Sequence, residues 1–166
     1  MKYYLDTEFD GHNGPLISLA LVSQFGGSLY CVTEHDPVDP WVRENVCPLV
    51  LSAGHAAVLM PENCVGGAIR FFLQDSPKPV IIADSPVDIA RFCRALSTDD
   101  AGGWASFDGD ISFEVHDVSC YPTDLPGAVQ HNAWWDAMAL RHKLINEVAQ
   151  ATHAAQVDDD RSREEL

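Results

Sequence analysis

Basic residues are scarce in this sequence, which has 10 lysines and arginines against 25 aspartates and glutamates and a net charge of −15. Proteins that bind nucleic acids usually begin by neutralising phosphates with Lys and Arg. The composition therefore argues against ordinary nucleic-acid binding, and an anionic substrate needs another source of attraction.

The sequence also lacks a long apolar run and closely spaced cysteines. Its longest mostly apolar stretch, residues 48–60, is shorter than the roughly 20 residues of a membrane-spanning helix. Asp6 stands where a secretory signal would need apolar residues. We therefore expect no membrane association and a cytoplasmic protein. The five cysteines form no C-x-x-C pair, which is typical of reduced, buried thiols rather than zinc ligands.

The sequence does contain a regular succession of β-favouring and helical patterns. It predicts strands at 3–8, 16–23, 28–33, 80–83 and 111–119, and helices from Pro40, over 61–74, from Pro86 and from Asn132. The first three strands form an antiparallel meander in this prediction. The whole order predicts an α/β fold, a mixed five-stranded sheet with helices on both faces. We expect one domain over residues 1–152 and a polar, frayed acidic tail over residues 153–166.

Asp6 and Glu8 are two positions apart on the first predicted strand, so both carboxylates point to the same face of the sheet. Their neighbours Tyr3, Leu5 and Phe9 are apolar. A carboxylate in a buried strand is costly unless it is paired or binds a metal. The alternative is a solvated strand face.

Asp88 lies in the first turn of a predicted helix, with Ser85 as the expected N-cap and Pro86 as the first helical residue. Capping and the helix dipole would be sufficient reasons for an acid there. The position also follows a buried strand, at the edge where open α/β sheets bind ligands. Both interpretations can hold together.

His131 precedes Asp136 by five positions, a spacing that would put the two side chains on different faces of a helix. We therefore place His131 in the loop before an Asn132 cap, where it reaches over the helix start. Asp136 would lie in the first turn. The alternative is an exposed histidine before an ordinary acid at a helix start.

Four carboxylates would repel one another if Asp6, Glu8, Asp88 and Asp136 converged without counter-charges. Divalent cations make such convergence tolerable, and oxygen ligands favour Mg²⁺ or Mn²⁺ over zinc. Two such ions can hold a phosphodiester and activate a water, and His131 is the candidate general base. The cations, rather than lysines, would then attract the phosphate.

Three motifs in register give the sequence a family resemblance. LDTEF at 5–9, DSPVD at 84–88 and HNAWWDA at 131–137 resemble the motifs of DEDD-type 3′-5′ exonucleases of the ribonuclease H-like fold. The histidine five residues before the last aspartate is similar to the DEDDh subgroup. PWVRENVCPLV at 40–50 and the short length are similar to the compact ribonuclease AS-like branch, which acts on RNA 3′ ends.

The resemblance implies two Mg²⁺ or Mn²⁺ ions and a single-stranded or short RNA 3′ end as substrate. It also implies a nucleoside 5′-monophosphate product and a homodimer. By this resemblance Asp6, Glu8 and Asp136 would hold the catalytic cation, Asp6 and Asp88 would hold the second, and His131 would be the base.

The second motif departs from the usual family pattern, because Ser85 and Val87 stand where an Asn and an aromatic residue are expected. Asp84 therefore competes with Asp88 for the second-motif role.

Substrate contacts are expected from aromatic and basic side chains near these motifs. Phe9 or a tryptophan, Trp134 or Trp135, is a candidate for stacking on the terminal base, although core packing is the stronger expectation for the tryptophans. The candidates for phosphate contacts are Arg91, Arg94, Arg141 and Lys143. Two other functions stay open: a catalytically silent scaffold or interaction domain of the same fold, and a single-strand DNA 3′-5′ exonuclease.

Overall fold

The computed structural model describes residues 1–52, 57–116 and 125–164, with side chains described up to residue 150 and at residue 156. The strands are β1 (Lys2–Phe9), β2 (Leu16–Ser23), β3 (Ser28–Thr33), β4 (Val58–Met60), β5 (Val80–Ala83) and β6 (Ser112–Val115). The helices are α1 (Pro40–Asn45), α2 (Val65–Leu73), α3 (Pro86–Leu96) and α4 (Ala133–Glu164), with a 3₁₀ turn at Glu62–Cys64 before α2.

The described strands form one mixed sheet in the order β4-β3-β2-β1-β5-β6. Strands β1, β2 and β3 pair antiparallel, which confirms the predicted meander. Strand β5 pairs parallel with β1, and β6 pairs parallel with β5. The α/β class with a mixed sheet is confirmed and is compatible with a ribonuclease H-like fold.

The prediction of five strands was too low, because β4 adds a sixth strand beside β3. It has three residues, Val58–Met60, which end the mostly apolar stretch of residues 48–60, a stretch with no alternating pattern. So short a strand is defined by its pairing with β3, a non-local contact that a sequence pattern does not reveal.

Helices cover both faces of the sheet, as predicted. On one face, Tyr3 and Leu5 of β1 pack with Ile69 of α2 and Phe92 of α3. On the other face, α1 and α4 contribute Val42, Ala133, Ala137 and Leu140 to two buried clusters with the side chains of β1, β2, β3 and β5. Since side chains alternate along a strand, β1 supplies residues to both layers.

Helix α4 extends to Glu164, and the predicted boundary at residue 152 stays a prediction. Among the described residues, no helix has both the length and the apolar character to cross a membrane. Cys31, Cys47, Cys64 and Cys93 are free thiols, and burial raises the pKa of Cys31 to about 12. Cys120 and the end of the predicted strand at 111–119 lie outside the described residues.

Asn132 fixes the start of α4 and is fully buried. Its Oδ1 accepts a hydrogen bond from the Trp135 amide at 3.3 Å, which confirms the predicted N-cap. Its Nδ2 donates to the carbonyls of Leu49 at 2.9 Å and Val50 at 3.3 Å. The side chain therefore caps α4 and ties it to the segment that follows α1.

We expect Asn132→Ala to lower the free energy of unfolding by about 2 to 4 kcal/mol, because it removes the cap and the two hydrogen bonds from the buried side chain to the carbonyls of Leu49 and Val50. Urea denaturation would measure the change. Asn146→Ala, an exposed position on the same helix, is the control and should change stability by no more than about 0.5 kcal/mol. Equal effects of the two substitutions would contradict the assigned role.

Candidate active site

Strand β1 carries the first pair of predicted site acids at the centre of the sheet. Asp6 lies opposite Ala20 and Glu8 opposite Ser18 in the pairing with β2. Both acids face α4, whereas Thr7 between them faces α3. The pairing register shifts between Glu8 and Phe9, so the regular strand ends where the carboxylates are presented.

Asp84 and Asp88 come from the junction of β5 with α3. Ser85 Oγ accepts a hydrogen bond from the Val87 amide at 3.1 Å, and Pro86 opens the helix, as predicted. Asp88 is 4% exposed, and its Oδ1 accepts a hydrogen bond from the Thr7 hydroxyl at 2.5 Å. The first turn of α3 is thereby joined to β1.

His131 and Asp136 lie at the start of α4, as the sequence predicted. Asp136 is in the first turn, and its Oδ2 accepts a hydrogen bond from the Asn132 amide at 3.2 Å. His131 precedes the cap and has a positive φ of 59°, an uncommon conformation for a residue other than glycine. Its ring lies edge to face with that of Trp41, with 5.3 Å between the centroids.

The structure brings all the predicted acids into one cleft of about 330 Å³, which His131 and Phe9 also line. One carboxylate oxygen from each of Asp6, Glu8 and Asp136 lies within 4.8 Å of the other two. A second group with the same limit consists of Asp6, Asp84 and Asp88. Asp6 therefore belongs to both groups, and the two rivals Asp84 and Asp88 are both present.

Burial and mutual repulsion favour the protonated forms of these acids. Burial, followed by the charges of Asp88 and Glu8, raises the pKa of Asp6 well above its ordinary value. Burial and the charge of Asp136 raise the pKa of Glu8 to about 8. Burial and the charge of Asp84 raise the pKa of Asp136 to about 7, although the Asn132 amide opposes the shift.

The pKa of Asp88 is raised less than the pKa values of Glu8 and Asp136. Burial raises its pKa to about 6, while the hydrogen bond from Thr7 stabilises the ionised form and limits the rise. The cluster thus requires protons or cations at neutral pH.

The donor set fits hard divalent cations. Every member is a carboxylate, and oxygen ligands suit Mg²⁺ or Mn²⁺. The two oxygen groups share Asp6, and each of them could hold a cation. Asp6, Glu8 and Asp136 would hold one ion, and Asp6, Asp88 and Asp84 the other.

Phe9 and Arg91 form a unit beside the cleft. The Arg91 guanidinium lies 4.5 Å from the centre of the Phe9 ring and donates to the carbonyls of Gly14 and His12, the latter at 2.9 Å. Arg91 thus holds the loop between β1 and β2 and supports Phe9. Its predicted contact with phosphate stays a prediction.

Trp134 is not among the described residues that line the cleft. Its ring packs against the buried cluster that contains Tyr30 and Ala137, and its indole N–H donates to Ser28 Oγ at 3.1 Å. Trp134 is half-buried in this contact with the sheet, and its candidate role in substrate binding stays a prediction.

Two side chains at the site were not found from the sequence. Thr7 is a buried polar residue on the face of β1 that otherwise carries Tyr3 and Leu5, and this break in an apolar pattern was the available signal. Trp41 touches His131 from a helix 90 residues away in the chain, so no local pattern links them.

A larger cavity of about 630 Å³ lies between the sheet and the middle of α4. Its lining includes Tyr4, Ile82, Leu144 and Ile145. Because this lining is mainly apolar, whereas the cleft gathers the carboxylates and His131, the smaller cleft is the candidate active site.

Comparison with known proteins gives a match over part of the chain. No protein-family model matches the chain. Two curated proteins from two strains of Mycobacterium tuberculosis, each named 3′-5′ exoribonuclease, are 47% identical to the chain over 53 residues. The match covers 29% of this chain and 32% of each relative, less than a third of either. This partial similarity supports a nuclease.

We expect the cation-free protein to lose stability as pH rises from about 5 to 8. The native acids retain protons that the unfolded chain releases near pH 4, so unfolding becomes easier by about 1.4 kcal/mol per pH unit for each excess proton. Urea denaturation in EDTA at several pH values would measure the slope. Asp6→Asn should flatten it, and so should Mg²⁺, which replaces the protons. A free energy of unfolding that rises between pH 5 and 8 in EDTA would contradict the raised pKa values of these acids.

Proposed function

We propose that this protein is a divalent-cation-dependent 3′-5′ exoribonuclease that releases nucleoside 5′-monophosphates from RNA 3′ ends. The observation that carries the proposal is the convergence of carboxylates from β1, the β5–α3 junction and α4, with His131 on the wall of the same cleft. The partial similarity to proteins named exoribonucleases supports the same reaction class.

Cations would be held by two sets of carboxylates, and Asp6 belongs to both sets. Glu8 and Asp136 complete one set, and Asp84 and Asp88 complete the other. When bound, such ions would lower the pKa of an attacking water and stabilise the charge on the phosphodiester and the departing oxygen. Thr7 orients Asp88 through its hydroxyl, and the Asn132 amide orients Asp136. The chain thus holds its ligands by contacts outside the carboxylate cluster.

His131 is the proposed general base. Its side chain lies in the loop before α4 and lines the cleft with the five carboxylates. An imidazole there can take a proton from the attacking water, and the developing charge is favoured by the acids around it. The released 3′-oxygen takes its proton from solvent.

Phe9 is the proposed stacking surface for the terminal base, since its ring lines the cleft and Arg91 supports it. Stacking of this kind contributes about 1–3 kcal/mol per base. The choice of RNA rather than DNA rests on the names of the relatives and on the resemblance. A homodimer located in the cytoplasm belongs to the same proposal.

The test is incubation of the full chain with Mn²⁺ and RNA labelled at its 5′ end, with Asp6→Asn as the inactive variant. We expect a ladder that shortens by single nucleotides, and no products in EDTA or from Asp6→Asn. Asp75→Asn, which neutralises an exposed acid after α2, is the matched control and should give the wild-type ladder.

Internal cuts, or the same ladder from Asp6→Asn, would refute the proposed mechanism. A folded protein that neither cleaves RNA nor gains thermal stability with Mn²⁺ would favour the silent scaffold. Labelled single-stranded DNA of the same sequence tests the third function.

We expect His131→Ala to lower kcat by about 10²- to 10⁴-fold, the usual contribution of a general base. Binding of Mn²⁺ should be unchanged, because the carboxylates remain. Single-turnover kinetics and a Mn²⁺ titration would measure the two effects. An unchanged kcat would remove His131 from the mechanism.

A further inference from the structure

Residues 35–50 follow β3 in the chain, and we call them the bracket segment. In space they contact both Asp10, just after β1, and Asn132, just before α4. At its beginning, Asp10 accepts hydrogen bonds from the amides of Val38 at 2.6 Å and Asp39 at 2.9 Å. His35 Nε2 lies 2.9 Å from Asp10 Oδ2. These contacts, with that of His35 first, lower the pKa of Asp10 to about 2. Asp10 therefore stays ionised and keeps the segment against β1.

The far end of the bracket segment meets the loop that carries His131. The carbonyls of Leu49 and Val50 accept hydrogen bonds from Asn132, the residue next to His131. The Val50 carbonyl also accepts a hydrogen bond from the Tyr30 hydroxyl at 2.7 Å. Both ends of the segment are thus anchored, one on β1 and one on β3 and α4.

Trp41 projects from the bracket segment onto His131. Asp39 caps α1 by accepting from the Trp41 amide at 2.8 Å, which places Trp41 in the first turn. The indole and the imidazole meet edge to face, with an interplanar angle of 85°. Among the described residues other than glycine, His131 alone has a positive φ. Such conformations persist where surrounding contacts hold them.

We propose that Trp41 is a positioning residue that fixes the imidazole of His131 over the carboxylate cleft. The proposal rests on the proposed function, in which His131 takes the proton from the attacking water. The bracket segment holds Trp41 relative to β1, and Asn132 holds the backbone beside His131. Trp41 itself is 54% exposed, so it is dispensable for the core and available for this contact.

The test compares Trp41→Ala, Trp41→Phe and Trp104→Ala in the full chain. Trp104 is 83% exposed in the loop after α3 and is the matched control. We expect Trp41→Ala to lower kcat by about 10- to 100-fold with an unchanged KM. A small displacement of a catalytic group, on the order of 1 Å, lowers the rate by a factor of this size. Trp41→Phe should restore most of kcat, and Trp104→Ala should match wild type.

A double-mutant cycle with His131→Ala separates positioning from general damage. If Trp41 acts through His131, Trp41→Ala should have no further effect on kcat once His131 is removed. Additive losses would overturn the proposal. A raised KM with unchanged kcat would make Trp41 a substrate-binding ring and would also overturn it.

Nuclear magnetic resonance gives a readout that does not depend on nuclease activity. The ring protons of His131, assigned from the His131→Ala variant, should move in Trp41→Ala because the ring current of the indole is lost. They should not move in Trp104→Ala. Unmoved resonances in Trp41→Ala would refute the contact. An inactive wild-type protein that still shows this shift would refute the proposed function but not the contact.

Discussion

Repulsion between carboxylates is the constraint on which the site depends. Acids from three separate elements come within 4.8 Å of one another in two groups, and their raised pKa values follow from burial and from this proximity. The surrounding structure has to hold them together against that repulsion. Hydrogen bonds from Thr7 to Asp88 and from Asn132 to Asp136 do so, and the buried layers on both faces of the sheet keep β1, α3 and α4 in place.

Much of this arrangement could be predicted because its signals are local. Ser85 and Pro86 marked the start of α3, and Asn132 marked the start of α4, so Asp88 and Asp136 could be placed in first helical turns. Alternation along β1 put Asp6 and Glu8 on one face. Such signals depend on a few adjacent residues, which is why they are visible without the fold.

The features that escaped prediction depend on contacts between distant parts of the chain. Strand β4 is defined by its pairing with β3, and Trp41 by its contact with His131. The sequence favoured Asp88 over its rival Asp84 for the second motif, and the fold brings both beside Asp6. Trp134 was ambiguous because an aromatic residue in a first helical turn can face either the sheet or the cleft, and only tertiary packing decides between them.

The arginines have a consequence for how a polyanion would approach. Four of them donate to backbone carbonyls of their own chain: Arg43, Arg70, Arg91 and Arg141. These four side chains stabilise the fold through hydrogen bonds within the chain. The net charge of the molecule is −15. The proposed RNA substrate would therefore meet long-range repulsion, which dissolved salt screens over about 8–10 Å. Association should accelerate with ionic strength, the reverse of the dependence shown by basic nucleic-acid-binding proteins.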